Sequence, residues 1–141
     1  MQESYTFDPV GNRLSSQNVP SYTYNNSNEL TGVGSATYTY DNNGNTLAKT
    51  DSSGTKSYTW DFENRLSAVV LPGAGGTVMF RYDRFGRRIQ KSFTQNSTTR
   101  IANYLYDGAD LIEELDVNGA PSLSTRQGRR LTSRWRCCEK A

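Results

Sequence analysis

The sequence predicts an all-β fold made of antiparallel β-hairpins, and three observations predict it. The chain is rich in Tyr, Thr, Asn, Ser and Gly, with nine tyrosines, a mixture that favours strands and turns over helices. A short phrase of the form aromatic-x-aromatic-Asp/Asn recurs along the chain. Clusters of Gly, Pro, Ser and Asn separate its copies. No apolar run approaches the roughly 20 residues that a membrane-spanning helix needs, so no membrane span is predicted.

Six copies of the phrase run along the chain, and we number them as repeat units 1 to 6. Each unit begins with an aromatic residue: Tyr5, Tyr22, Tyr38, Tyr58, Phe80 and Tyr104. Two positions later comes a second aromatic residue: Phe7, Tyr24, Tyr40, Trp60, Tyr82 and Tyr106. The next residue is an acid or its amide: Asp8, Asn25, Asp41, Asp61, Asp83 and Asp107. An aliphatic residue closes each unit: Leu14, Leu30, Leu47, Leu66, Ile89 and Ile112.

Every position in the phrase has a physical role, which the YTYDNNGNTL of unit 3 illustrates. Residues two apart on a strand project to the same face, so Tyr38 and Tyr40 are predicted to place both rings on one side. Asp41 can accept hydrogen bonds from backbone N–H groups further along and start a turn. Residues that tolerate positive φ follow it: Asn43, Gly44 and Asn45. Leu47 then starts the returning strand and can pack against the rings, so one unit is predicted to be one β-hairpin.

The spacing from the first aromatic residue to the closing aliphatic residue alternates between nine and eight positions along the six units. The longer units carry a glycine near the turn: Gly11, Gly44 and Gly86. The shorter units have another small polar residue there: Asn28, Asn64 and Asp110. We therefore predict two turn geometries used in strict succession.

Polar connectors such as SSQNVPS, KTDSSGTKS and LPGAGGT join the units. Their composition predicts a second turn between neighbouring hairpins. A lone hairpin is only marginally stable in water, so neighbouring units must stack. The predicted architecture is a continuous strip of antiparallel strands.

The phrase Y-x-[YFW]-D-x-x-G-N-x-L, repeated in register from about Tyr5 to Asn118, resembles the YD repeat of Rhs proteins. That family includes bacterial insecticidal toxin shells and animal teneurins. The segment NYLYDGADLIEELDVNG is also similar to the end of an Rhs core. The resemblance implies that residues 1–118 are a YD-repeat region, part of a spiralling β-sheet that winds into a hollow shell. In bacterial members that shell encloses a C-terminal toxin domain, and the repeats form its wall.

On this resemblance we predict a non-catalytic structural segment of a toxin-encapsulating shell or of a cell-surface YD-repeat protein. Its expected partners are the remaining YD repeats of a longer chain, other copies through unpaired edge strands, and an encapsulated C-terminal toxin. Full-length members are expected to be secreted or on the cell surface. The N-terminus MQESYTFDPV lacks the pattern of a signal peptide, so the location of this chain itself stays unknown. The alternative is a binding module whose rows of rings contact glycans or a partner protein.

Residues 119–141 form a basic tail that departs from the family pattern. From residue 125 onward it holds six cationic side chains, one glutamate and both cysteines, Cys137 and Cys138, whereas the rest of the chain has a net charge of −3. Read one nucleotide earlier, codons for this tail can spell YTTGPAIDEPLAMLRK, close to the YTxGPGIDEPLAM with which Rhs cores typically continue. We therefore predict a disordered, frameshift-derived tail, not a nucleic-acid-binding one.

No constellation of residues typical of catalysis or cofactor binding is found. The chain has no His, so its Ser and Thr hydroxyls lack the usual activating base. The repeated aspartates share one turn position, which favours turn formation over paired catalytic carboxylates. DNNGNT, from Asp41, has its Gly fourth, whereas a calcium loop needs it sixth, and LPGAGGT lacks the Lys of a phosphate loop. We predict no enzyme, no metal and no cofactor.

Overall fold

The computed structural model describes residues 4–19 and 21–122, and the fold over these ranges is all-β, as predicted. Its strands form six consecutive antiparallel hairpins, one for each repeat unit. The strands are β1 (Tyr5–Phe7), β2 (Arg13–Ser16), β3 (Tyr22–Tyr24), β4 (Leu30–Val33), β5 (Ala36–Tyr40), β6 (Thr46–Asp51), β7 (Gly54–Trp60), β8 (Leu66–Val70), β9 (Thr77–Tyr82), β10 (Arg88–Gln95), β11 (Thr98–Asp107) and β12 (Asp110–Leu115).

Ten of these strands, β3 to β12, form one sheet in which each strand lies beside its neighbour in sequence. Strands β1 and β2 pair only with each other. The expected continuous strip is therefore interrupted between β2 and β3. At that point the backbone of Val19 turns back to Ser16 and bonds to it in both directions, at 2.8 and 3.1 Å.

Units 1 to 5 share one five-residue turn, whose positions we number from the acid or amide that opens it. In unit 3 the N–H of Asp41 donates to the carbonyl of Asn45 at 2.9 Å, and the N–H of Gly44 donates to the carbonyl of Asp41 at 3.1 Å. The same two bonds recur in the other four units. Position 4 always has positive φ: Gly11 (93°), Asn28 (60°), Gly44 (82°), Asn64 (58°) and Gly86 (79°).

The prediction of two turn geometries is therefore wrong for units 1 to 5. Glycine and asparagine are the two residue types that enter the left-handed region at low cost, and the chain uses them interchangeably at position 4. What alternates along the chain is the residue type at position 4 and the place of the aliphatic residue that follows the turn.

Each hairpin carries a β-bulge just after its turn. In unit 3, Tyr40 pairs with Thr46 while Thr39 pairs with Ala48, so Leu47 is the extra residue. The corresponding extra residues in the six units are Leu14, Thr31, Leu47, Ser67, Ile89 and Ile112. A bulge leaves one residue outside the ladder and increases the local twist.

The alternating spacing decides where the closing aliphatic residue lies relative to this bulge. In units 2 and 4 it comes one position earlier, so Leu30 pairs with Tyr24 and Leu66 pairs with Trp60. Both leucines are half-buried. In units 1, 3 and 5 the aliphatic residue is itself the extra residue and is more exposed: Leu14, Leu47 and Ile89. The strand register is the same in units 1 to 5, and the spacing reflects only whether the aliphatic side chain occupies the bulge or the paired position before it.

Unit 6 departs from the other five. Asp107 belongs to β11 and pairs with Asp110, and Gly108, at a φ of 57°, occupies the tight turn between them. The prediction that Asp110 replaces glycine in this turn is wrong, because Gly108 supplies the positive φ. The five-residue turn reappears one strand later, where the N–H of Asp116 donates to the carbonyl of Ala120 at 2.7 Å.

In the middle of the sheet one face is half-buried and the other is exposed. Along β5 and β7 half-buried and exposed residues alternate strictly, with Tyr38, Tyr40, Tyr58 and Trp60 all half-buried. None of the described residues is fully buried, so this part of the chain forms a single layer without a closed core. Over the same residues no helix is long and apolar enough to cross a membrane.

Most of the basic tail lies outside the residues that the structure describes. The prediction of a disordered, frameshift-derived tail from residue 119 concerns mainly residues 123–141, which the structure does not describe, and it stays a prediction. For residues 119–122 the prediction of disorder is wrong, because they pair back onto β12: Leu115 bridges to Pro121, and the N–H of Ser122 donates to the carbonyl of Glu114 at 2.8 Å.

Candidate functional site: the junctions between hairpins

The second aromatic residue of each later unit donates a hydrogen bond to the backbone of the preceding hairpin. The hydroxyl of Tyr40 donates to the carbonyl of Leu30 at 2.6 Å, and that of Tyr82 to the carbonyl of Leu66 at 2.9 Å. In all five cases the acceptor is the residue just before the bulge: Tyr24 to Arg13, Tyr40 to Leu30, Trp60 to Thr46, Tyr82 to Leu66 and Tyr106 to Arg88. We call this series the aromatic ladder.

The aromatic ladder acts where neighbouring hairpins are not paired through their backbones. Strands β6 and β7 pair from Asp51 and Gly54, next to the connector, only as far as Ala48 and Ser57. Closer to the turns the indole of Trp60 reaches across to the preceding hairpin. Strands β8 and β9 behave in the same way, pairing as far as Ala68 and Met79. The rings therefore fill the space between hairpins at their turn ends and fix the register there.

The opening residue of the turn accepts several hydrogen bonds through its side chain. Oδ1 of Asp41 accepts from the backbone N–H groups of Asn43 and Asn45, both at 2.9 Å, and Oδ2 accepts from the side-chain amide of Asn45 at 3.0 Å. Asp8, Asp61 and Asp83 accept the same pattern of bonds. The turn is thus closed by position 5 as well as by position 1.

Unit 2 has the same side-chain hydrogen bond between positions 1 and 5, but with the amide at position 1 and the carboxylate at position 5. Its opening residue is the amide Asn25, whose Nδ2 donates to Oε2 of Glu29 at 2.6 Å. Oδ1 of Asn25 still accepts from the backbone of Ser27 and Glu29. The turn therefore requires a side-chain oxygen at position 1 that accepts from the turn backbone. It also requires a side-chain hydrogen bond between positions 1 and 5, in which either residue can be the donor.

In units 1, 3, 4 and 5 position 5 also connects the turn to the next unit. In units 1 and 3 this residue is an asparagine: Nδ2 of Asn12 donates to Oδ1 of Asn28 at 3.1 Å, and Nδ2 of Asn45 donates to Oδ1 of Asn64 at 2.8 Å. The position-5 side chains therefore form a second row of bonds, parallel to the aromatic ladder.

In units 4 and 5 position 5 is an arginine. Arg65 forms an ion pair with Asp61 at 2.8 Å and lies 5.0 Å from the ring centre of Tyr82 in the next hairpin. Arg87 pairs with Asp83 at 2.7 Å and lies 5.1 Å from the ring centre of Tyr106. A guanidinium at this distance from an aromatic face is attracted to it. One side chain thus closes its own turn and contacts the next unit.

The turn carboxylates are held in their ionised form. The side-chain hydrogen bond from Asn45 and the backbone N–H groups lower the pKa of Asp41. Burial raises the pKa of Asp8, Asp61 and Asp83, but hydrogen bonds from position 5 and the turn backbone outweigh it and lower each pKa overall. A general acid or base works best with a pKa near the operating pH, so these shifts run opposite to that requirement.

The sequence singled out most of these residues but not their partnerships. The structure brings both rings of each unit onto one face and places each opening residue of units 1 to 5 at a turn. Sequence reasoning named Asn45 only as a residue that tolerates positive φ, and it missed the role of position 5, which Asn12, Glu29, Arg65 and Arg87 share. The available signal was that this position is an amide or a charged residue in all five units. It also missed the Asp116 turn, which the DVNG at residues 116–119 encodes.

The described residues contain no cluster of metal-ligating side chains. Within residues 4–19 and 21–122, no three His, Cys, Asp or Glu side chains are grouped closely enough to hold a metal ion.

Comparison with known families agrees with the repeated geometry. Residues 1–114 match the family described as Teneurin YD-shell. The chain belongs to the teneurin YD-shell family. This confirms the resemblance to YD repeats and the assignment of the chain to the family that forms such shells.

Curated relatives of this YD-shell chain are bacterial. It is 37% identical over 134 residues to the tRNA3(Ser)-specific nuclease WapA of Bacillus spizizenii, which covers 88% of the chain. It is 37% identical over 115 residues to the tRNA nuclease WapA of Bacillus subtilis, which covers 76% of the chain. The chain spans only 5% of the length of each of these relatives. It is thus a YD-repeat segment related to toxin proteins.

Proposed function

We propose that this chain is a non-catalytic wall segment of a YD-repeat shell. The observation that carries the proposal is the aromatic ladder, which joins every hairpin from unit 2 to unit 6 to the one before it. The side chains at positions 1 and 5 of the turns are engaged in closing the turns, and those at position 5 in units 1, 3, 4 and 5 also join neighbouring hairpins. Such an arrangement extends a sheet by one hairpin at a time, which is what a wall requires.

The single-layer sheet supports the same proposal. A protein interior normally buries large apolar side chains completely, whereas none of the described residues here reaches that state. The half-buried aromatic face therefore needs further material against it. In the proposed setting this material is the remaining YD repeats of a longer chain and a C-terminal toxin inside the shell.

The proposal includes the limits and location of the segment. Residues 1–118 are the YD-repeat part, and residues 119–141 are a tail of different origin. The longer protein is secreted or displayed on the cell surface, as its family suggests.

A hybrid protein tests the wall function. The segment of Bacillus subtilis WapA that aligns with this chain would be replaced by the aligned residues of this chain, and the hybrid exposed to a broad-specificity protease. We expect the hybrid to resist digestion as well as the parent does. A matched hybrid in which Tyr24, Tyr40, Trp60, Tyr82 and Tyr106 are all changed to Phe should be digested faster. Equal resistance of the two hybrids would contradict the role of the ladder, and digestion of both at the rate of an unfolded chain would contradict the wall function.

The non-catalytic part of the proposal is tested separately. The full 141-residue chain, incubated with total tRNA, is expected to leave the tRNA intact in the presence or absence of Mg²⁺. Cleavage that persists through purification and disappears in the Asp41→Asn or Asp83→Asn variant would overturn it.

The alternative, a module that binds glycans or a partner protein, requires aromatic rings that are free to stack on a ligand. The paired rings of units 2 to 6 are instead half-buried on one shared face, and five of them donate to a neighbouring hairpin. This arrangement favours the wall. Binding of the folded chain to a glycan array, lost when Tyr38 or Tyr58 is changed to Ala, would favour the module instead.

A further inference from the structure

The edge of the sheet that carries the five-residue turns, which we call the turn edge, has an uneven distribution of charge. Units 2 and 3 present Glu29 and Asp41 and no cation within their turns. Unit 5 presents Arg84 and Arg87 in its turn, followed directly by Arg88. Arg87 is engaged by Asp83, whereas no described carboxylate pairs with Arg84. One part of this edge is therefore acidic and another part is basic.

A groove lies between the turns of units 2 and 3, on the acidic part of the turn edge. It has a volume of about 570 Å³, and its walls include Asn25, Ser27, Glu29, Tyr40 and Asp41. Oε2 of Glu29 accepts from Asn25, while Oε1 accepts no hydrogen bond from any described residue. The groove therefore offers one uncommitted carboxylate oxygen next to an aromatic wall.

The turn of unit 5 has the complementary chemistry and is exposed. Phe85 is 67% exposed, and the guanidinium of Arg84 lies 4.6 Å from the centre of its ring. Arg87 of the same turn also lies 5.2 Å from the ring centre of Phe85, but the turn geometry does not require a phenylalanine there, since units 1 to 3 have Val10, Ser27 and Asn43 at the same position. A cation stacked on an exposed ring is suited to a groove that has both a carboxylate and a tyrosine in its wall.

The turn of unit 4 lies between these two features along the turn edge. It carries Phe62, which is 92% exposed, at position 2, where the neighbouring turns have Asn42 and Arg84. Phe62 is a large apolar side chain with no packing role in its own hairpin. It is placed about midway between the groove and the unit 5 turn.

We propose that the turn edge is a self-complementary interface for a second copy of this chain. When two turn edges meet in antiparallel orientation, Arg84 and Phe85 of each copy enter the groove of the other. The two Phe62 side chains then meet near the two-fold axis. A contact of this kind is isologous, so one pair of complementary features is used twice. This inference stands on the turn edge alone and does not depend on the proposed shell function.

The interface is small and partly electrostatic. Contacts below about 1,200 Å² belong to transient complexes, and exposed charge pairs are screened by salt. The dimer is therefore reversible and weakens as ionic strength rises.

Charge exchange tests the proposal by sedimentation equilibrium of the full 141-residue chain with a reductant, which keeps Cys137 and Cys138 from linking copies. We expect a concentration-dependent dimer. Arg84→Glu, an exposed change that leaves the fold intact, should weaken it about five- to tenfold, as expected for reversing an exposed charge pair used twice. Glu29→Lys should have a similar effect, and the two changes together should restore dimerisation.

Two control variants show whether a change in dimerisation is specific to the turn edge. Arg100→Glu makes the same charge change on β11 at the opposite edge and should leave dimerisation unchanged. If circular dichroism shows that Glu29→Lys is unfolded, Glu29→Gln replaces it and should also weaken dimerisation, by a smaller factor. A wild-type chain that stays monomeric, an association that Arg84→Glu leaves untouched, or a folded double variant without recovery would each overturn the proposal.

Discussion

The indole Nε1 of Trp60 donates a hydrogen bond to the backbone carbonyl of Thr46 at 2.8 Å. In the same place other units use a tyrosine hydroxyl, as Tyr82 does with Leu66. An indole and a phenol have little in common beyond an aromatic body and a donor at its polar end. The ladder therefore requires that combination at the second aromatic position, and tyrosine itself is not essential.

Removing one donor of the ladder should destabilise the sheet. Tyr40→Phe deletes the hydroxyl that donates to Leu30 and leaves that carbonyl without this partner. We expect a loss of about 1–2 kcal/mol in the free energy of unfolding, measured by urea denaturation. Tyr38→Phe is the matched control, because it removes a hydroxyl from the same strand that donates to no described residue. Equal losses in both variants would show that the hydroxyl of Tyr40 contributes nothing specific.

Position 4 of the turn should accept residues in the order Gly, then Asn, then Ala. At Gly86, φ is 79°, and an added Cβ would meet no other atom within 4 Å. The cost of substitution is therefore set by the backbone alone. Gly86→Ala should lower the free energy of unfolding by about 1 kcal/mol, and Gly86→Asn by clearly less, since units 2 and 4 already carry Asn there. Thermal unfolding of the three proteins checks the order, and an Asn variant as unstable as the Ala variant would contradict it.

In unit 2 the amide is at position 1 (Asn25) and the carboxylate at position 5 (Glu29), the reverse of Asp41 and Asn45 in unit 3. We therefore predict that unit 3 tolerates the same exchange. Asp41→Asn alone sets one amide against another, and Asn45→Glu alone sets one carboxylate against another. Each single variant should lower the midpoint of urea unfolding. The double variant recreates the arrangement of Asn25 and Glu29 and should recover part of the loss, because the bond from Asn45 to Asn64 is not replaced. If the double variant shows the sum of both losses, positions 1 and 5 are not coupled.

The sequence predicted the hairpins well because each one is encoded locally. Alternating rings, an opening acid or amide and a residue with positive φ all lie within about ten positions of one another. The Tyr-x-Tyr of unit 3 sufficed to place both rings on one face. The same local reasoning identified Gly11 and Asn28 as turn residues.

What could not be predicted depends on the neighbouring hairpin. The hydroxyl of Tyr40 and the carbonyl of Leu30 are ten positions apart, and only the fold shows that they meet. The alternating spacing was misread as turn geometry, because the sequence does not show whether the aliphatic residue lies in the bulge or one position before it. In unit 6 the role of Gly108 as the turn residue was missed. Asp107 resembles the opening acids of the other units, but it belongs to β11 and pairs with Asp110. The repeated sequence pattern describes the structure within one unit, whereas each junction is formed by residues of two neighbouring units.

Acid should destabilise the folded chain through its turn carboxylates. Asp8, Asp41, Asp61 and Asp83 have a pKa below the ordinary value of 3.8 in the folded state. They therefore bind protons less strongly when folded than when unfolded, and their contribution is present above that value and lost as pH falls through the lowered pKa. The midpoint of urea unfolding should be steady between pH 7 and about 5 and fall below about pH 4. A midpoint that rises as the pH is lowered from 5 to 3 would contradict this.

The first hairpin should open before the rest of the sheet. No backbone pairing joins β2 to β3. The junction depends instead on side chains, such as the 3.0 Å bond from Tyr24 to Arg13 and the 3.1 Å bond from Asn12 to Asn28. Elements held by few backbone bonds open at lower free energy, so the amides of β1 and β2 should exchange with deuterium faster than those of β6 and β7. Tyr24→Phe should accelerate exchange in β1 and β2 without changing it in β10 and β11. Uniform protection along the whole chain would mean that side chains alone secure the junction as firmly as a backbone ladder does.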